Sequence, residues 1–223
     1  AVRVKSRTAY SRVRIEVAET PFFSRSVSEF VLNRPRTEYT IYPDIIWNYE
    51  ALKNNVQAEP VSVAVKVEMN GDDLGQRVRT FSVRSINECL LGYVANGTKF
   101  YDTSIFFAAY VNEENPMIDQ LLREALNTRI VNRFLGYQSK AKGVVDKQVY
   151  ALWNILQKRK FRYSSVSNTS LSSNVVFSQR VRTFDDALES SQINCVDGSV
   201  LFASLLRAIN IDPILVRTPG HMF

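Results

Sequence analysis

Along the first half of the chain apolar and polar residues alternate with a period of two, the pattern of strands that bury one face. "RVRIEVAE" (12–19) puts Val13, Ile15 and Val17 on one side, and "VSVAVKVEM" (61–69) does the same with Val61, Val63, Val65, Val67 and Met69. "NGDDLG" (70–75) supplies turn residues, so "QRVRTFSVRS" (76–85) is expected to return as the antiparallel partner of 61–69. "EFVLN", "TEYTIY" and "KFYDTSIFFAAYV" (99–111) add further expected strands, punctuated by Pro35, Pro43 and Gly97. A small sandwich or a twisted sheet follows from this half.

Near residue 115 the period lengthens to that of a helix. "NPMIDQLLREALNTRIVNRFLG" (115–136) offers Asn115 as an N-cap, Pro116 at the first helical position, an apolar stripe of Ile118, Leu121, Leu122 and Ala125, and Gly136 as a stop. A second helix is expected from about Asp146, with Val145, Val149, Leu152, Trp153 and Leu156 at helical spacing. The serine-rich "FRYSSVSNTSLSSN" (161–174) is a polar connection, whose stretch 166–173 is weighed as a binding-site border and favoured as a solvated connector. Strands first and helices later predict an α+β chain, β-rich over 1–112 and helical over 113–223.

The C-terminal segment "NCVDGSVLFASLLRAINIDPILVRTPGHMF" (194–223) has the most sharply marked boundaries. Asn194 is a good N-cap and Asp197 can complete a capping box, so a helix should begin at Cys195. Leu201, Leu205 and Ile209, with Phe202 and Leu206, form its buried stripe; Asn210 in a left-handed conformation, Ile211 and Pro213 mark its end. "ILVRT" (214–218) is an expected strand, "PG" a turn, and "HMF" the start of a returning element. The spacing puts the Cys195 thiol on a first helical turn, where unpaired N–H groups and the helix dipole favour thiolate, while the carboxylate of Asp197 opposes a second negative charge. His221, the only histidine, lies 26 residues downstream and can return to that turn through the hairpin. Position alone leaves these two residues open between a reactive pair and ordinary packing or surface residues.

Composition narrows the setting. At 223 residues, 45% hydrophobic and 22% charged, the chain can bury a core without staples. Its longest apolar stretches, such as "SIFFAAYV" (104–111), are far short of the roughly 20 residues that span a bilayer, so no transmembrane segment is expected. The basic start has no following apolar segment, so a secretory signal is expected to be either absent or already removed, the latter fitting an exported protein that begins at Ala1; the compartment stays open. The net charge of +6 favours anionic partners such as an envelope polymer, but it is spread, with its densest runs at Arg3 to Arg14 and in "QKRKFR" (157–162). No zinc-ligand set, RNP stretch or basic helix accompanies it, which argues against nucleic acid. A single histidine and two distant cysteines argue against a metal site, and no cofactor is expected. Cys89 and Cys195 could form one disulfide, although a domain of this size needs none.

The pieces "VYALWNILQKRKFRY" (149–163), "RTFDDALES" (182–190), "NCVDGSVLFASLLRAINIDPILV" and "PGHMF" resemble, in order, spacing and element type, the transglutaminase-like superfamily, including bacterial transglutaminase-like cysteine proteinases of papain-like fold. The resemblance covers roughly residues 144–223 and implies a β-rich, sandwich-like accessory domain followed by a truncated transglutaminase-like domain. It further implies catalysis by Cys195 and His221: thiol attack on a protein or peptide carbonyl, then resolution of the thioester by an amine or water. The family's acidic third residue normally follows the histidine, whereas this chain stops two residues past His221, so either it is a fragment of a longer protein or the triad is incomplete. Asp185, Asp186 and Asp212 are in the wrong order to replace it. A catalytically silent binding or assembly module of the same shape is the alternative.

Overall fold

The computed structural model describes residues 1–139, 141–164 and 173–223 and divides them into two compact units, 1–86 and 87–223. The serine-rich connection lies mostly within 165–172, outside the described residues.

The first unit contains β1 (Val2–Lys5), β2 (Ser11–Val17), β3 (Ser26–Leu32), β4 (Glu38–Ile41), α1 (Tyr49–Asn54), β5 (Glu59–Met69) and β6 (Asp72–Val83). Four of these strands form an antiparallel sheet in the order β3-β2-β5-β6, and β1 pairs separately with β4. The alternation on β2 is realised: Val13 and Ile15 meet Val4, Leu32 and Ile41 in one cluster, and Val17 meets Phe22, Phe23 and Val61 in another. The β5–β6 hairpin closes on Asn70 and Gly71 alone, both at positive φ, so Met69 faces Asp72 and the turn is tighter than the polar run 70–75.

The second unit begins with β7 (Glu88–Ala95) and β8 (Lys99–Asp102), followed by a 3-10 segment (Ser104–Tyr110), α2 (Pro116–Asn127) and α3 (Val144–Lys158). After these come β9 (Arg162–Tyr163), β10 (Val176–Arg180), α4 (Phe184–Ser190), β11 (Gln192–Ile193), α5 (Cys195–Ala208), β12 (Arg217–Thr218) and β13 (His221–Met222). One core joins Cys89 and Phe107 to Ile118 and Leu121 of α2, Leu152 and Ile155 of α3, and Leu201 and Leu205 of α5. Because β7 pairs with both β8 and β10, the division between units falls at 86/87, ahead of the change in hydrophobic period. Mixed helices and antiparallel sheets make the chain α+β.

Two boundaries and one buried helix face depart from expectation for local reasons. The segment 99–111 is a strand only to Asp102; the Asp102 carboxylate accepts from Ser104 N at 2.8 Å, and the turn it makes starts a 3-10 segment that buries Phe107 and leaves Ile105 exposed. Helix α2 stops at Asn127 rather than near Gly136, because Thr128 Oγ1 donates back to the Ala125 carbonyl at 2.6 Å and Arg129 turns left-handed. On α3 the buried face is Gln148, Ala151, Leu152 and Ile155, while Trp153 is 49% exposed and meets Phe202 edge to face.

Candidate functional site

The start of α5 is built as its residues dictate. Asn194 Oδ1 accepts from Asp197 N at 2.9 Å and Asp197 Oδ2 accepts from Asn194 N at 3.0 Å, a complete capping box. Cys195 is the first helical residue and half-buried, its side chain packed against the core. Cys89 and Cys195 are both free thiols; Cys89 is sealed in the core, where burial pushes its thiol up to about 11.

Asp197 is not the lone carboxylate that the sequence suggested. Its Oδ2 meets Arg182 Nη1 at 2.6 Å, its Oδ1 accepts from Arg182 N at 2.9 Å, and the side chains are 1% and 13% exposed. The guanidinium balances the carboxylate that was expected to oppose a thiolate on Cys195. Arg182 Nη2 also donates to Ser164 Oγ at 3.1 Å, which ties the end of β9 to the first turn of α5.

β9 lies parallel to β11, with Arg162 opposite Gln192 and Tyr163 opposite Ile193, two residues before Cys195 in the chain. Arg162 N donates to the Ser191 carbonyl at 2.8 Å and Ser164 N to the Ile193 carbonyl at 2.9 Å, clamping the backbone on both sides of Tyr163. The charge of the nearby Cys195, with a smaller contribution from burial, raises the Tyr163 phenol above its ordinary range.

His221 returns as expected in an antiparallel hairpin, with Thr218 facing His221 and Arg217 facing Met222, closed by Pro219 and Gly220. The regular pairing covers only 217–218 of the expected strand 214–218, with Val216 and Phe223 adding two backbone hydrogen bonds beyond it. Met222 points into the core, so alternation turns His221 outward, where it is exposed and lies 6.2 Å from the Phe223 ring. The hairpin is fastened to the helix start through Ser199, whose Oγ donates to the Cys195 carbonyl at 2.7 Å and lies 3.2 Å from the Met222 carbonyl. The fold therefore brings the backbone of the His221 strand to the first turn of α5. Among the described residues no hydrogen bond joins the Cys195 thiol to the His221 ring.

A cleft of about 680 Å³ lies on the Met222 side of the hairpin, its walls including Phe107, Val111, Ala203, Arg207 and Arg217. Arg207 pairs with Glu113 at 2.6 Å and Arg217 with Asp102 at 3.0 Å, so both of its guanidinium groups have carboxylate partners. Cys195 and His221 are not among its walls. Among the described residues no three His, Cys, Asp or Glu side chains converge as metal ligands, and no helix is long and apolar enough to cross a membrane.

Sequence reasoning missed Tyr163, Ser164, Arg182 and Ser199 as members of this corner. Tyr163 and Arg182 stand at the edges of two segments that carry the family resemblance, the end of 149–163 and the start of 182–190, and that placement is the signal that could have found them. Compared with known proteins, the chain matches no family model, no curated protein and no solved structure.

Proposed function

We propose that the second unit is a transglutaminase-like thiol acyl-transfer or amide-hydrolysing domain in which Cys195 is the nucleophile and His221 the base and acid. The reading is carried by one observation: a free, half-buried cysteine begins a fully capped helix, and the strand bearing the only histidine is fastened to that same turn through Ser199. In the reaction the Cys195 thiol gives its proton to the His221 imidazole, and the thiolate adds to a carboxamide or peptide carbonyl carbon. Collapse breaks the C–N bond, the leaving amine takes the proton from the imidazolium, and a thioester forms on Cys195. Water or an amine then attacks the thioester and releases the thiolate. The N–H groups of Cys195 and Val196, first in the helix and without helical partners, are available to hold the oxyanion. The substrate class is a protein or peptide side-chain or main-chain amide.

The test is turnover of a glutamine-containing peptide library, followed as ammonia release and as incorporation of a labelled amine, with Cys195→Ala and His221→Gln as controls. Loss of turnover in both supports the reading; turnover undiminished in Cys195→Ala defeats it. A second reading, a silent binding or assembly module, draws on the outward-facing His221 ring, which lies beside Phe223. That reading predicts no turnover in the intact protein and an unchanged partner affinity in Cys195→Ala.

A further inference from the structure

We propose that the free edge of β6, from Gln76 to Val83, is a docking edge for an acidic, extended segment of another protein, which adds to the sheet of the first unit as an antiparallel strand.

Three observations carry it. β6 is the outermost strand in the order β3-β2-β5-β6 and is exposed from Asp72 to Ser82, so among the described residues no strand pairs with its outer side, where alternate N–H and C=O groups point away from β5. Long edges are commonly interrupted by proline or capped by a covering loop, whereas "QRVRTFSV" (76–83) contains no Pro, no Gly and no carboxylate.

This edge also has a defined start. The β5–β6 register shifts between Lys66 and Glu68, which leaves Leu74 and Gly75 against Val67 alone, with Gly75 at φ +95°. Asp73 accepts from Gly75 N at 2.8 Å and pairs with Lys66 Nζ at 3.1 Å. The bulge thus separates the acidic tip of the hairpin, Asp72 and Asp73, from the edge beyond it.

Beyond the bulge the edge is cationic and unpaired. Arg77 stands opposite Val65, Arg79 opposite Val63 and Phe81 opposite Val61, so the three share one face, and no carboxylate faces either guanidinium across the ladder. Among the described residues neither Arg77 nor Arg79 makes an ion pair, whereas Arg14, Arg25 and Lys66 of the same unit all do. A strand laid antiparallel on β6 places its alternate side chains against Arg77 and Arg79, where Asp or Glu supplies the missing partners, and sets an aromatic or apolar residue against Phe81, which is 56% exposed. A second copy of this chain is the poorer occupant. Paired about a two-fold axis at Val78 it sets Arg77 against the other copy's Arg79, and about an axis at Arg79 it sets that residue against itself. The edge therefore disfavours self-pairing while it accepts a strand of opposite charge.

The experiment is an NMR titration of the isotope-labelled intact chain with a synthetic peptide as long as 76–83, Thr-Thr-Tyr-Thr-Glu-Val-Glu-Thr, which aligns its glutamates with Arg79 and Arg77 and its tyrosine with Phe81. Amide shift changes are expected along β6 and its neighbour β5. Replacing both glutamates by lysine should weaken binding about tenfold at low salt, and the double variant Arg77→Glu, Arg79→Glu should reverse that preference. Both arginines are exposed, so the variant keeps its fold, which its amide spectrum checks directly. Strand pairing has a signature that charge alone lacks: backbone N-methyl groups at alternate peptide residues block the edge in one phase and point away from it in the other. One methylated peptide should therefore lose binding about tenfold or more while its counterpart retains it. Equal binding of the two methylated peptides, shift changes that miss β6, or β6 changes that appear on concentrating the protein without peptide would each overturn the proposal.

Discussion

Arg182 and Asp197 form an ion pair at 2.6 Å beneath the first turn of α5, with the carboxylate 1% exposed and the guanidinium 13% exposed. The carboxylate also accepts from the backbone of Asn194 and of Arg182, so one side chain joins a helix cap, a neighbouring loop and, through the guanidinium, Ser164. Charges this far from water persist only when geometry and additional hydrogen bonds offset their desolvation, and both are present here.

Removing either partner leaves the other buried and unpaired. Asp197→Ala is expected to lower folding stability by about 3–5 kcal/mol, read from urea unfolding, and Arg182→Met by a similar amount. The double substitution should cost clearly less than the sum, by more than about 1 kcal/mol, since each single change already breaks the same contact. Strict additivity would show that the pair is not coupled.

Gln148 is fully buried on α3, where its Oε1 accepts from Leu135 N at 2.6 Å and Gly136 N at 3.0 Å while its Nε2 donates to the Gly136 carbonyl at 3.0 Å. Gln148→Leu keeps the volume but strands these backbone groups away from water, and is expected to cost about 2–4 kcal/mol in the same unfolding measurement. A variant as stable as the parent would mean that water or a shifted loop replaces the amide.

Gly136 adopts φ +53°, and a Cβ there would stand 2.8 Å from the Ile209 carbonyl and 2.9 Å from that of Asn210. Gly136→Ala combines backbone strain with two backbone clashes and should cost about 2–3 kcal/mol or more. Gly143, at φ +77° with open space around it, isolates the strain: Gly143→Ala should cost only about 1 kcal/mol. Equal losses in the two variants would remove the packing explanation.

Cys89 keeps its proton to about pH 11 in the folded chain, against an ordinary value of 9.0, because burial disfavours the thiolate. The unfolded chain ionises first, so the stability held by the neutral thiol is fully present below pH 9 and is lost as the pH rises toward 11. The loss amounts to about 2–3 kcal/mol for this thiol. Burial raises Tyr110 as well, and that part persists when Cys89 is removed, whereas the smaller part owed to the charge of Cys89 is lost with it. Thermal melts of the intact chain should fall more steeply between pH 9 and 11 than those of Cys89→Ala, and parallel curves would contradict the assignment.

Local rules were legible wherever a local interaction decides the outcome. Asn194 and Asp197 cap α5 as their spacing dictates, Asn210 closes it in the left-handed conformation, and Pro116 with Asn115 opens α2. Val13, Ile15 and Val17 alternate inward because a strand has no other way to present them. The turn Pro219–Gly220 returned His221 beside Thr218 for the same reason.

The sequence by itself thus determined the α+β character, the strands of the first unit other than β1, and a cysteine at the head of a capped helix, since each depends on residues within a few positions of one another. Only the tertiary structure decided that Arg182 neutralises Asp197, that Met222 rather than His221 faces the core, and that Gln148 displaces Trp153 from the buried face of α3. These are contacts between elements 12 or more residues apart, and their partners are chosen by which buried polar groups need satisfying once the helices and strands have packed.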